Sequence, residues 1–160
     1  MATVAEIKEM SEDAREAYHR AAEARVKTFD YAPPAPGPRP KQSMRLASGD
    51  HIKVNVQVVR EGGENNLHYH VHSDTTWMVL KGRARFYGPG DVLLGEFGAL
   101  QGIFMPGGAR YWFEKVGDEP LEILQMVGFE KGPGAERRIN VDAHKDWMTD
   151  NARLVDYGAA

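Results

Sequence analysis

Three histidines, His68, His70 and His72, recur at every second position inside GGENNLHYHVHSDTTWMVLKG, residues 62–82. In a β-strand alternate side chains share a face, so this spacing sets imidazoles side by side on one surface. An imidazole titrates near neutrality and, when neutral, ligates first-row metals. The pattern therefore supports two chemistries, a metal ligand set or a proton-transferring pair.

The elements needed to hold such a strand are written around it. Upstream, Ile52, Val54, Val56 and Val58 alternate with Lys53, Asn55 and Gln57, and Gly62-Gly63 turns that strand into the histidine segment. Downstream, residues 75–80, 83–87, 103–105, 110–115 and 121–129 read as short strands. They are punctuated by Gly88-Pro89-Gly90-Asp91, Pro106-Gly107-Gly108 and Gly117-Asp118-Glu119-Pro120. Many short strands without alternating helices predict an all-β, antiparallel sandwich or barrel. Residues 1–30 carry apolar positions at helical spacing, from Val4 and Ile7 to Val26 and Phe29, and predict an amphipathic helical segment with a break at Ser11, an N-cap type. Residues 31–41 form a proline-rich strap, with five prolines in the ten residues from Tyr31 to Pro40. The barrel is expected over 42–131, and 132–160 reads as a polar C-terminal extension with a short helix around Trp147 and Met148.

The residues also resemble a family. Gly62, five residues, His68-Tyr69-His70, four residues, Thr75, six residues and Gly82 follow the spacing of the first cupin signature, and Pro106-Gly107-Gly108-Ala109-Arg110-Tyr111 is similar to the core of the second. The resemblance runs from about Gly49 to Phe129 and implies a double-stranded β-helix, or jelly-roll, barrel. It also implies a homodimer, and the helical segment and strap are expected to reach a partner subunit. By the family pattern His68 and His70 face inward. Strand alternation then adds Thr75, Trp77, Val79, Tyr111 and Phe113, and brings Asn55 and Gln57 from an earlier strand.

Cupins hold iron, manganese, nickel or zinc with three histidines and one carboxylate. Here Thr75 stands at the acidic position and Tyr111 at the third histidine. His72 or Asp74 would then have to complete a divalent metal site on His68 and His70, where the ion would polarise a substrate oxygen or activate dioxygen, as in a lyase or a dioxygenase. Tyr111 would ligate well only as a phenolate, far from its ordinary pKa near 10.

Without a metal, His68 or His70 with Tyr111 can move protons, as in an isomerase, dehydratase, cyclase or lyase. Gln57, Thr75, Trp77 and Phe113 would line the substrate cup, Trp77 serving equally well as plain core. A third reading is a non-catalytic cup that binds or senses a small ligand, and the plainest is a pair of satisfied polar groups in a remnant barrel.

Composition narrows the partners. A net charge of −3 with both signs mixed gives no reason to expect nucleic acid or an anionic membrane. There is no cysteine, so thiolate chemistry and disulfides are excluded. No apolar run is long enough to span a bilayer, and the charged N-terminal helix does not read as a signal peptide, so a cytoplasmic protein is expected. Aromatic walls and the lack of a basic cluster in the sequence point to an oxygenated or aromatic small molecule.

Overall fold

A computed structural model describes residues 3–130, 138–142 and 145–147. They divide into two compact units, Met1–Asp30 and Tyr31–Ala160. The first holds two helices where the sequence suggested one interrupted segment. Helix α1 spans Val4–Glu9 and starts on a capping box: the Thr3 hydroxyl accepts from the Glu6 amide at 3.2 Å, while the Glu6 carboxylate accepts from the Thr3 amide at 2.6 Å. Helix α2 spans Glu12–Glu23 and is capped by Ser11, whose hydroxyl accepts from the Ala14 amide. Neither helix buries a residue, and none among the described residues is long and apolar enough to cross a membrane.

The second unit is two five-stranded antiparallel sheets. Strands β1 (Lys41–Ser48), β2 (Ile52–Val59), β4 (Ser73–Lys81), β7 (Gly102–Met105) and β9 (Leu121–Phe129) form one, in the order β1-β2-β9-β4-β7. Strands β3 (Asn65–His70), β5 (Ala84–Tyr87), β6 (Leu93–Phe97), β8 (Tyr111–Lys115) and β10 (Arg138–Asn140) form the other, in the order β10-β3-β8-β5-β6. The strands expected from period-two alternation are all present. Three differences stand out: β1 begins at Lys41 instead of near Met44, β6 forms without a legible alternation, and part of the extension pairs as β10. Most of the C-terminal helix expected around Trp147 and Met148 lies outside the described residues; 145–147 begin a turn.

The inner faces of both sheets meet in one apolar core, in which Val59, Trp77, Val79, Phe86, Phe113, Leu121 and Ile123 are fully buried. Burying side chains of this size contributes roughly 1.5–3 kcal/mol each. Leu67, Trp112 and Tyr87 pack on the outer face of the second sheet, with the Tyr87 and Trp112 rings stacked at 4.4 Å.

Two glycines set how closely the chain returns on itself. Gly82 turns β4 toward β5 at φ +80°, a left-handed conformation that side chains disfavour. At Gly102 an added Cβ would lie 1.9 Å from the Trp77 carbonyl oxygen, so only glycine lets β7 pair with β4 there. The strap is tied to the barrel: the Tyr31 hydroxyl donates to the Glu122 carboxylate at 2.7 Å, and the Arg60 amide donates to the Pro40 carbonyl at 2.7 Å.

Candidate functional site

Register decides which polar side chains enter the interior. Lys41, Ser43 and Arg45 on β1 stand opposite Val59, Gln57 and Asn55 on β2, and Val59 belongs to the core, so this whole row faces inward. On β9, Ile123 and Gln125 continue the row, and on β4 Val79, Trp77 and Thr75 complete it. Across the interior, β3 contributes His68 and His70, β8 Tyr111 and Phe113, and β10 Arg138 opposite His70.

The centre of this arrangement is His68, 2% exposed. Its Nδ1 lies 2.7 Å from the Asn66 carbonyl oxygen. A carbonyl only accepts, so Nδ1 carries the hydrogen and, in the neutral ring, Nε2 keeps a lone pair. Burial, reinforced by the nearby Arg138 charge, holds the His68 pKa well below its ordinary value and keeps the ring neutral. His70 is partly buried and meets His68 edge-on, with ring centroids 5.3 Å apart.

Tyr111 is also 2% exposed, its ring 4.6 Å from that of His68. Its oxygen accepts from Trp77 Nε1 at 3.3 Å and is flanked by the Thr75 hydroxyl. Burial pushes its pKa up to about 12, so the group is a phenol at neutral pH. Trp77 and Phe113 are packed in the core with ring centroids 5.2 Å apart, forming the wall behind Tyr111. Gln57 is 4% exposed and donates from Nε2 to Gln125 Oε1 at 3.2 Å, leaving its own Oε1 without a hydrogen-bond partner among the described residues.

The structure brings together His68, His70, Tyr111, Gln57, Thr75, Trp77 and Phe113. It does not bring in His72 or Asp74. Strand β3 ends at His70 and His72 lies exposed in the turn that follows, while Asp74, within β4, is exposed on the face opposite Thr75 and accepts from the Gly107 amide at 2.8 Å. Metal chemistry can be tested on this donor set. No group of three or more His, Asp or Glu side chains suited to a metal ion occurs among the described residues. Thr75 is a neutral hydroxyl, Tyr111 is held protonated, and Arg138 and Lys41 place positive charge at the same interior. These residues do not fit a divalent cation.

Sequence reasoning missed Lys41 and Arg138, and with them the basic character of the interior. Lys41 closes the prolines of the strap, and Arg138 lies in the polar extension. The legible signal was the alternation Lys41, Ser43, Arg45, which is polar on the face that register turns inward. The Lys41 ammonium donates to Asn65 Oδ1 at 2.7 Å and lies 5.7 Å from the Phe113 ring centroid. Arg138 Nη2 donates to Asn66 Oδ1.

Comparison with known proteins bears on the fold. No family model matches the chain. Over 85 residues it is 28% identical to a putative mannose-1-phosphate guanylyltransferase of Vibrio cholerae, a match that takes in 53% of this chain and 18% of that protein. The chain thus corresponds to a small part of that relative's length. Among solved structures, it is similar to a Klebsiella pneumoniae protein with a double-stranded β-helix domain (TM-score 0.59, 21% identity, 76% of this chain and 95% of that one). It is also similar to an RmlC-like cupin family protein of Methanocaldococcus jannaschii (TM-score 0.54, 14% identity, 66% and 92%). An oxalate decarboxylase shares the architecture (TM-score 0.52, 17% identity, 69% and 30%), so enzymes and proteins without an assigned activity both use it. Two packed antiparallel sheets, two matching motif spacings and these neighbours give one conclusion: the chain has the cupin fold, a double-stranded β-helix barrel.

Proposed function

We propose that this barrel is a small-molecule enzyme that moves protons without a metal, with His68 as the base and Tyr111 as the acid. The observation that carries the reading is the His68 tautomer: Nδ1–H pinned to the Asn66 carbonyl, Nε2 with its lone pair, beside a phenol that burial keeps protonated.

In such a reaction His68 Nε2 takes a proton from a carbon next to a substrate carbonyl. The C–H electron pair becomes a C=C bond, and the carbonyl oxygen takes up the charge. The Tyr111 hydroxyl donates a hydrogen bond to that oxygen, and its raised pKa lies in the range of the enol it would stabilise. With a double bond one carbon further along, return of the proton to the far end of the resulting dienolate gives isomerisation. Loss of a leaving group, with its bonding pair, from the carbon adjacent to the deprotonated one gives elimination. Trp77 fixes the Tyr111 oxygen, and His70 stands at the partly open side, where it can relay the proton.

The test is solvent-deuterium incorporation into a panel of small carbonyl compounds, followed by proton NMR with protein treated with chelator. Exchange that survives the chelator and falls at least about a hundredfold in His68→Ala and Tyr111→Phe supports the reading. Activity that returns only on addition of a divalent ion overturns it, as does undiminished exchange in His68→Ala. Ligand binding with no exchange or turnover for any bound compound would instead identify a non-catalytic cup.

A further inference from the structure

Of the cations on the inward faces, Arg45 bonds Asn55 further along β1, while Lys41 and Arg138 stand on strands from opposite sheets with described partners that are neutral. Lys41 reaches from β1 across to Asn65 on β3, over the Phe113 ring, and Arg138 on β10 lies opposite His70 and bonds Asn66. Both partners are amides. Among the described residues neither cation has an ion pair with a carboxylate. The acid whose charge acts on Lys41, raising its pKa, is Glu64; its carboxylate accepts from the Lys115 amide at 3.4 Å, and burial raises its own pKa.

A buried cation without an anion is costly, and so is a buried polar atom without a hydrogen bond. Here Lys41 and Arg138 are partly buried, and fully buried polar atoms without a described partner stand beside them. Arg138 Nε is buried without a partner among the described residues, and so is the Gln57 Oε1 atom on the facing sheet. An amide can present either end when it and Gln125 turn over together, so Gln57 can meet a hydroxyl in either sense. The three groups surround the same interior as His68 and Tyr111. Arg138 is close enough to depress the pKa of both Lys41 and His68.

We infer that the barrel binds its small molecule as a carboxylate anion, with Lys41 and Arg138 meeting the carboxylate and Gln57 a hydroxyl on the same molecule. This deepens the acid–base reading by naming the substrate class for the same interior. It also narrows the expectation of an oxygenated or aromatic small molecule. Arg138 supplies an N–H in a fixed direction and Lys41 a mobile point charge, the combination that orients a carboxylate beside a base. Charge at the binding end then leaves the carbon next to the acid group, or one further along, facing His68 Nε2.

The experiment is a thermal-shift and calorimetric screen of the full chain against C2–C6 hydroxy and keto acids, their primary amides, and inorganic phosphate. At least one carboxylate should raise Tm by about 5 °C at saturating concentration, while its amide does not. Lys41→Met and Arg138→Met should each weaken that binding by at least about 30-fold, with Arg138→Lys recovering part of the loss. His68→Ala and Tyr111→Phe should still bind the acid. Binding that survives in those two variants without turnover separates this inference from the catalytic one, because either can fail alone. Circular dichroism of each variant establishes that it is folded. No shift with any carboxylate overturns the proposal. So do amides binding as well as acids, phosphate alone binding, or folded Lys41→Met and Arg138→Met proteins binding at full strength.

Discussion

Lys41 should make the barrel more stable as the solution becomes alkaline, and Lys41→Met should remove the effect. Desolvation, with repulsion from Arg138, lowers the Lys41 pKa from 10.5 to about 7. Between those values the unfolded chain holds a proton on Lys41 that the folded chain has released. Stability therefore rises with pH across the window and is flat below it. The slope cannot exceed about 1.4 kcal/mol per pH unit, so pH 7.5 to 9.5 gives a ceiling of roughly 2.5 kcal/mol. Part of the side chain is reached by solvent, and halving the figure leaves about 1 kcal/mol.

No other shifted group described above interferes. Tyr111 has its pKa raised, so its contribution is constant below pH 10 and declines only above it. His68 has already lost its proton in both states at pH 7.5. Urea denaturation at pH 7.5, 8.5 and 9.5, followed by the fluorescence of buried Trp77 and Trp112, measures the slope. A flat or falling profile in the parent protein refutes the argument, as does an equal rise in Lys41→Met.

Other expectations are more local. His68 should hold its Nδ1–H tautomer as pH falls through 6.5, visible in nitrogen chemical shifts; a ring half-protonated at 6.5 contradicts the geometry. Because the folded pKa is lowered, only the unfolded chain gains that proton, so stability should decline below pH 6.5 and decline less in a folded His68→Gln variant. Gly102→Ala should cost more than about 3 kcal/mol, since the atom it strikes at 1.9 Å is backbone and cannot give way; a melting temperature within 3 °C of the parent would show that β7 can shift. Tyr31→Phe should cost about 1–2 kcal/mol by removing the hydrogen bond to Glu122, read from the urea midpoint, and an unchanged midpoint would mean the strap is not held there.

What could be read from the chain follows the range of the signal. Alternation over Ile52–Val59 and Leu121–Phe129 is a local property, and both strands are where it puts them. Strand β6 escaped notice because Leu93 and Leu94 are both exposed on an edge strand, where burial imposes no pattern of two. The histidine spacing was informative only while the strand lasted, and β3 stops two residues before His72. Lys41 and Arg138 were illegible for a different reason. A lysine after a proline run and an arginine in a polar tail resemble solvated charges. Only pairing with Val59 and His70, residues remote in sequence, turns them inward.

Asn66 joins β10 to His68. Its carbonyl oxygen takes His68 Nδ1–H, its Oδ1 takes Arg138, and its Nδ2 donates at 2.6 Å to the carbonyl of Asp142. Two of those three bonds close loops of more than seventy residues, so a ribosome must release nearly the whole domain before the arginine can arrive. Any anion that Arg138 holds is then linked to the docking of a three-residue edge strand, and linkage is reciprocal. Whatever loosens the chain end, whether a protease, a fusion tag or a binding partner, should weaken affinity by the same factor by which a bound anion protects that end.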